Sequence, residues 1–294
     1  MRPIRIIALS SPGSGPDIVG RLIGSKFTEA WGQQVIVDAR PAATGIIGTE
    51  IAARAAPDGH TLLIVTAQAV IVSVMYEKLQ YDLIRDFAPI SLMASTPFIL
   101  VVHPSVAATS TQALIALARS KPGQLRYGSG GSGSPPHLSA EIFKSMTGTD
   151  IVHIPYKGVT PALMDTVGGQ VQMVFSVIPA AIGTVKAGKV RVLGVSSAKR
   201  TQLMPEIPTI AEAVPGYEFI GWYSLFAPAM TPRPILSKLN AEIVTALKSA
   251  DLRERLSGLG AEPIGSTQQT LAAYLPEQLK KMGKAVKESG ARPD

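Results

Sequence analysis

The chain has 294 residues, a formal net charge of +7 and no cysteine. With 46% hydrophobic and 17% charged residues it is globular rather than disordered, and long enough for one large domain or two ordinary ones. The lack of cysteine excludes thiol chemistry, thiolate metal sites and disulfides. The basic residues are scattered, without the runs and interleaved aromatics of a nucleic-acid surface, so the charge suits a collector of anionic small molecules.

The first element is an apolar run, Ile4 to Leu9, expected as a buried strand. It is too short for a signal-peptide core, so the chain is either cytoplasmic or a mature exported chain in which Met1 replaces the leader. A loop of small residues follows, Ser10-Ser11-Pro12-Gly13-Ser14-Gly15-Pro16-Asp17, and then a helical pattern. Val35 to Val37 is a second strand. In "TGIIGTEIAARAA", Ile47, Ile51 and Ala55 recur at helical spacing, and Pro57-Asp58-Gly59 is a stop signal. Leu62 to Val65 is a third strand. "TLLIVTAQAVIVSVMY" is short for a membrane span and carries Thr66, Gln68 and Ser73, so it reads as strand, loop and helix start.

The order returns from Leu125: strand "LRYGS", loop "GGSGSPP", helix "HLSAEIFKSMTG", strand "DIVHIPY", helix "TPALMDTVGG" and strand "VQMVFSV". Two α/β units of like plan predict two lobes, residues 1–100 with 226–294 and residues 101–225. "PFILVVHPS" and "SLFAPAMTP" are the expected crossing strands of a hinge, with a cleft between the lobes. A helical tail completes the chain.

Ligands on open α/β sheets sit at the carboxyl ends of strands, where both small-residue loops lie. Each precedes a helix start, with its unpaired N–H groups and positive dipole end. Gly and Ser leave that backbone uncovered, so Ser11, Pro12, Gly13, Ser14 and Gly15 in the first loop, and Ser129, Ser132, Gly133 and Ser134 in the second, are candidate anion-binding residues. The alternative is that the glycines only make turns. Thr66 and Gln68 follow a strand end in the first lobe, and Tyr156, Lys157 and Gly158 do so in the second. Lys157 either neutralises a ligand or is solvated. His137 either reaches a bound anion or holds the loop backbone, and Asp17, also a candidate site residue, either caps backbone N–H groups at the helix start, the favoured role, or contacts the ligand. Trp222 packs at the hinge or covers a ligand.

Enzyme signatures fail. "GSGGSG" lacks the acidic residue at the end of the next strand that a dinucleotide site needs, because Asp150 begins that strand. No phosphate-binding G-x-x-x-x-G-K loop is present, and Ser132 does not complete a nucleophile elbow. His60, His103, His137 and His153 show no metal-ligand spacing, and no carboxylate pair stands out. No catalytic residue, metal or cofactor is therefore expected. The competing reading is an α/β enzyme acting on an acidic or phosphorylated small molecule.

The segments "RPIRIIALSSPGSGPDIVGRLI", "LRYGSGGSGSPPHLSAEIFKSMTG", "VHIPYKGVTPALMDTVGGQV", "PEIPTIAEAVPGYEF" and "GWYSLFAPAMTP", in order along nearly the whole chain, resemble the Bug receptors, periplasmic solute-binding proteins of tripartite tricarboxylate transporters. The resemblance implies a two-lobed α/β Venus-flytrap fold, each lobe a mostly parallel sheet flanked by helices, and a periplasmic monomer without catalysis. It implies a small carboxylate ligand, a tripartite transporter membrane complex as partner, and neither nucleic-acid binding nor membrane embedding. Two departures bear on the ligand. Leu9-Ser10-Ser11-Pro12-Gly13-Ser14 stands where the family usually has Pro-Phe-Pro-Pro-Gly-Gly, which implies a roomier or more polar pocket. Phe175-Ser176-Val177 stands where it often has Phe-Asp-Asn, so Ser176 joins the candidate site in place of an ammonium-holding carboxylate, which favours a plain carboxylate ligand.

Overall fold

The computed structural model describes residues 2–41 and 44–292; Met1, on which the leader reading turned, lies outside them. The chain opens with β1 (Ile4–Ala8), α1 (Gly15–Trp31), β2 (Val35–Ala39), α2 (Ile46–Ala53), β3 (Thr61–Thr66) and α3 (Ala67–Met75). It continues through β4 (Phe87–Val102), α4 (Thr111–Ser120), β5 (Arg126–Ser129), α5 (Pro135–Thr147), β6 (Val152–Pro155), α6 (Val159–Val167), β7 (Met173–Val177), α7 (Ile178–Lys186) and β8 (Arg191–Val195). It closes with β9 (Ile220–Pro228), α8 (Arg233–Ala246), α9 (Ala250–Gly258), β10 (Glu262–Pro263) and α10 (Gln268–Ser289).

Two compact units result, Met1–Ser95 with Trp222–Gly283 and Thr96–Gly221 with Lys284–Asp294. The divisions fall inside β4 and β9, a few residues before the expected 100/101 and 225/226. The end of the chain clusters with the second unit, where the Ser145 hydroxyl donates to Glu288 at 3.3 Å.

In the first unit the strand order is β2-β1-β3-β9, parallel except for β9 against β3. Strand β3 is covered on both faces, which is why Leu62 to Val65 read as an unbroken apolar run. One face packs against α1 through Val19, Ile23 and Phe27, and α8 and α9 close the same core through Leu239, Ile243 and Leu252. The loop expected after Val65 is absent: Thr66 ends β3 and the next residue begins α3, so Thr66 is its N-cap and Gln68 lies in its first turn.

In the second unit the order is β4-β7-β5-β6, with β8 also pairing β4. Strands β5, β6 and β7 run parallel, and β4 is antiparallel to β7. One core joins Ile99, Val101, Leu163 and Val174; aromatic packing of Phe143 and Tyr217 with Phe175 adds a second layer. Among the described residues no helix is long and apolar enough to cross a membrane, and no group of acidic or histidine residues has the makings of a metal site.

Candidate functional site

The two small-residue loops have one geometry. Each runs from a parallel strand, β1 or β5, into the helix that packs on it. In the first, Gly13 takes φ +80° and Ser14 is the extended N-cap of α1; in the second, Gly133 takes φ +69° and Ser134 is the extended N-cap of α5. These positive φ values favour glycine at the same point of both turns. The N-cap serine bonds back three residues in each. Ser14 N–H and Oγ donate to the Ser11 carbonyl at 3.2 and 2.7 Å, and Ser134 N–H and Oγ donate to the Gly131 carbonyl at 3.2 and 2.8 Å. Ser14 Oγ also lies 2.6 Å from Ser10 Oγ.

A side chain four residues on then holds each glycine amide. Gly13 N–H donates to Asp17 Oδ2 at 2.9 Å, and Gly133 N–H donates to His137 Nδ1 at 3.1 Å. Asp17 and His137 are 2% and 3% exposed, so both act from inside their units. Asp17 thus caps the loop rather than the helix, and it also takes a two-pronged bond from the Arg21 guanidinium, both arms at 3.0 Å. Burial pushes the Asp17 carboxyl up, but the Arg21 bond, the Gly13 amide and the Arg21 charge outweigh it and leave the group below its ordinary value.

This occupancy revises the expectation that the loop amides are free. The Gly13, Gly131 and Gly133 amides are engaged within the protein, and further donors stand in the first helical turn. In α1 these are the N–H groups of Gly15 and Asp17, since Pro16 has none and Ile18 N–H closes onto Ser14 O. In α5, Pro135 and Pro136 occupy the first two positions, so His137 carries the first N–H and Leu138 N–H already closes onto Ser134 O. The helix therefore starts two residues before His137, and its end is poorer in backbone donors than the first.

The other candidates fall into three groups. Ser11 and Pro12 are exposed, Ser132 is half-buried, and Lys157 is exposed and has no ion pair among the described residues. Tyr156 and Ser129 are committed internally: Tyr156 donates to Asp165 at 2.7 Å, and Ser129 is fully buried. Burial, then Asp165, push the Tyr156 phenol up to about 12. Gly158 is the N-cap of α6 at φ +124°. Ser176 is fully buried opposite Ile99 of β4 and donates to its neighbour's carbonyl, Val177 O, at 3.3 Å.

His153, passed over in the sequence beyond its lack of metal spacing, is central. Its Nε2 is 2.6 Å from Ser129 Oγ, and its ring stacks on His137 at 4.1 Å and on Tyr127 at 4.8 Å. The β5–β6 register, which sets Tyr127 beside His153, is what brings them together. The Ser129–His153 contact is structural, since the buried Ser129 hydroxyl is shared with the Gly131 N–H at 3.1 Å. In the first unit Trp222 is 2% exposed and packs edge-on against Tyr274 at 5.7 Å, and its Nε1 has no hydrogen-bond partner among the described residues.

Residues 19–291 match the tripartite tricarboxylate transporter family receptor, TctC. A protein of the tcbD–tcbE intergenic region of a Pseudomonas sp. is 37% identical over 98% of this chain and 86% of its own length. Protein BugT of Bordetella pertussis is 33% identical over 99% of this chain and 90% of its own. Among solved structures, an R. palustris protein with adipate is 35% identical, with a TM-score of 0.83 over 100% of this chain and 99% of that one. MatC of Rhodopseudomonas palustris, with bound malate, is 29% identical, with a TM-score of 0.78 over 97% and 99%. The fold is thus the α/β fold of periplasmic binding proteins, and the chain belongs to the TctC family, whose members are receptors of tripartite tricarboxylate transporters and not enzymes.

Proposed function

We propose that this chain is a periplasmic receptor that captures a small organic carboxylate through its β1–α1 and β5–α5 loops and serves tripartite tricarboxylate-type uptake with a membrane complex as partner. The observation that carries the reading is the same latched loop built twice, in each case at the carboxyl end of a strand and the positive end of a helix. The two R. palustris relatives solved with adipate and with malate support the ligand class. The free Gly15 and Asp17 amides suit a carboxylate in the first loop. In the second, the proline-capped helix end shifts the work to Ser132 and to the exposed Lys157.

Isothermal titration with adipate, malate and adipamide tests this. Binding of one of the diacids, with adipamide bound far more weakly, supports the reading. Protonation of the ligand's own carboxyls, at about pH 4 to 5, should weaken binding. Equal affinity for diacid and diamide, or binding of neither acid, overturns it.

A further inference from the structure

The second loop is held at both ends by two stacked imidazoles. His153 Nε2 holds Ser129 at the strand end, and Ser129 Oγ in turn takes the Gly131 N–H; His137 Nδ1 takes the Gly133 N–H at the helix start. The first loop has the same latch with a carboxylate, Asp17, in the place of His137. An aspartate accepts the amide bond throughout the neutral range. A histidine accepts it only while Nδ1 is bare, which requires the neutral ring with its proton on Nε2.

We infer that His137, stacked on His153, is a positioning residue for the β5–α5 loop, and that protonation of His137 at mildly acid pH releases the loop and with it the ligand. The two bonds differ in what protonation does to them. His153 Nε2 keeps its bond to the Ser129 hydroxyl in either state, because a hydroxyl both donates and accepts. A proton on His137 Nδ1 sets it donor-to-donor against the Gly133 N–H, and the bond is lost. The stack sets the two rings 4.1 Å apart, so a charge on His137 opposes a second on His153.

The charged and titratable groups facing the pair are few. Glu141 and Lys144 lie on the same helix, α5, and pair with each other at 2.7 Å. Tyr127 of β5 stacks on both rings and donates its hydroxyl to Glu141, and Lys144 lies 5.6 Å above the Tyr127 ring. Glu141 favours protonation of the two rings and Lys144 opposes it. Burial dominates: it holds His137 below the ordinary histidine range and, with the His137 charge, pushes His153 down to about 4. A histidine lowered in the folded loop contributes stability that is fully present above its free value, about 6.5, and is lost as pH falls below that value towards the lowered one.

Ligand release rests on the carboxylate reading proposed above, but the latch does not, so the test reads the loop first. Long-range proton–nitrogen NMR at pH 7.5 should show His137 as the Nε2–H tautomer. The protection factor of the Gly133 amide against hydrogen exchange should fall between pH 6.5 and 5, by at most about tenfold per pH unit for one linked proton. His137→Asn provides the control, because Asp17 shows that a short side-chain oxygen at this position reaches the amide. In that variant Gly133 protection should stay level with pH. An Nδ1–H tautomer, constant Gly133 protection in the wild type, or an equal fall in the variant overturns the inference. If His137→Asn does not fold, the wild-type tautomer and protection profile decide alone.

Adipate titration at pH 7 and 5.5 then reads the consequence. Weakening in the wild type beyond that in His137→Asn supports release, and equal weakening in both assigns it to the ligand's own protonation and overturns that clause. Absence of adipate binding at both pH values counts against adipate as a ligand and leaves the latch to be judged on Gly133.

Discussion

The Tyr223 hydroxyl rests on Gly15, the first residue of α1, so closely that a side-chain carbon on Gly15 would overlap it. Burial pushes the phenol up to about 12, so it is a proton donor at every physiological pH. Gly15→Ala should lower stability by about 1–3 kcal/mol through overpacking. Removing the hydroxyl as well, in Gly15→Ala/Tyr223→Phe, should restore most of the loss, and urea unfolding measures both. A double variant as unstable as the single would show that the crowding lies elsewhere.

Asp17→Asn keeps an oxygen for the Gly13 amide and loses the charge that meets Arg21. Because Arg21 is largely exposed, the loss at pH 7 should be modest, about 1 kcal/mol. The folded carboxyl lies below its ordinary value, so its contribution is present above about 4 and disappears as pH falls through the lowered value. The gap between wild type and variant in urea midpoint should therefore narrow from pH 7 to pH 3. A gap that widens on acidification would contradict the assigned pairing.

Ser176→Asp places a carboxyl in a fully buried strand position. The expected result is a loss of about 2–4 kcal/mol without any ligand, with the new group neutral at pH 7. Thermal denaturation of the ligand-free protein checks it. An unchanged melting temperature with altered adipate affinity would instead put Ser176 at the ligand.

Lys157→Ala removes an exposed cation that has no ionic partner among the described residues. If it neutralises a bound diacid across solvent, adipate affinity should fall about fivefold and its salt dependence should weaken. Equal affinity and equal salt response in the two proteins would assign Lys157 to bulk water.

Much of the frame is written locally. An apolar run, a cluster of Gly, Ser and Pro, and a 3.6-residue period announce β1, its loop and α1, and the same sequence of signals announces β5 and α5. What escapes the sequence depends on contacts distant in the chain. Nothing between Val65 and Gln68 marks an immediate change from strand to helix, because neither Gly nor Pro is needed there. The part of β4 before Pro97 is hidden by Pro89, which argues against a strand interior. The sequence leaves His137 open as a ligand contact or a loop clamp, and the i to i+4 bond from Gly133 shows the clamp. His153 carries no local signal at all: its role appears once β5 and β6 are in register. The contact of Tyr223 with Gly15 likewise requires β9 to lie beside β3.

Because β4 and β9 each run from one unit into the other, the order of synthesis matters. The strands of the second sheet are all made by Val195, so that unit can pair its sheet while the rest is still emerging. The first sheet waits. Strand β3 has β1 on one side, but its other edge, apolar from Leu62 to Val65, stays open until Tyr223 to Phe226 leave the ribosome. At roughly 5–20 residues per second that is many seconds with an unpaired hydrophobic edge. A nascent chain stalled before residue 222 therefore displays a template for intermolecular strand addition, and chaperone capture should be strongest in that window.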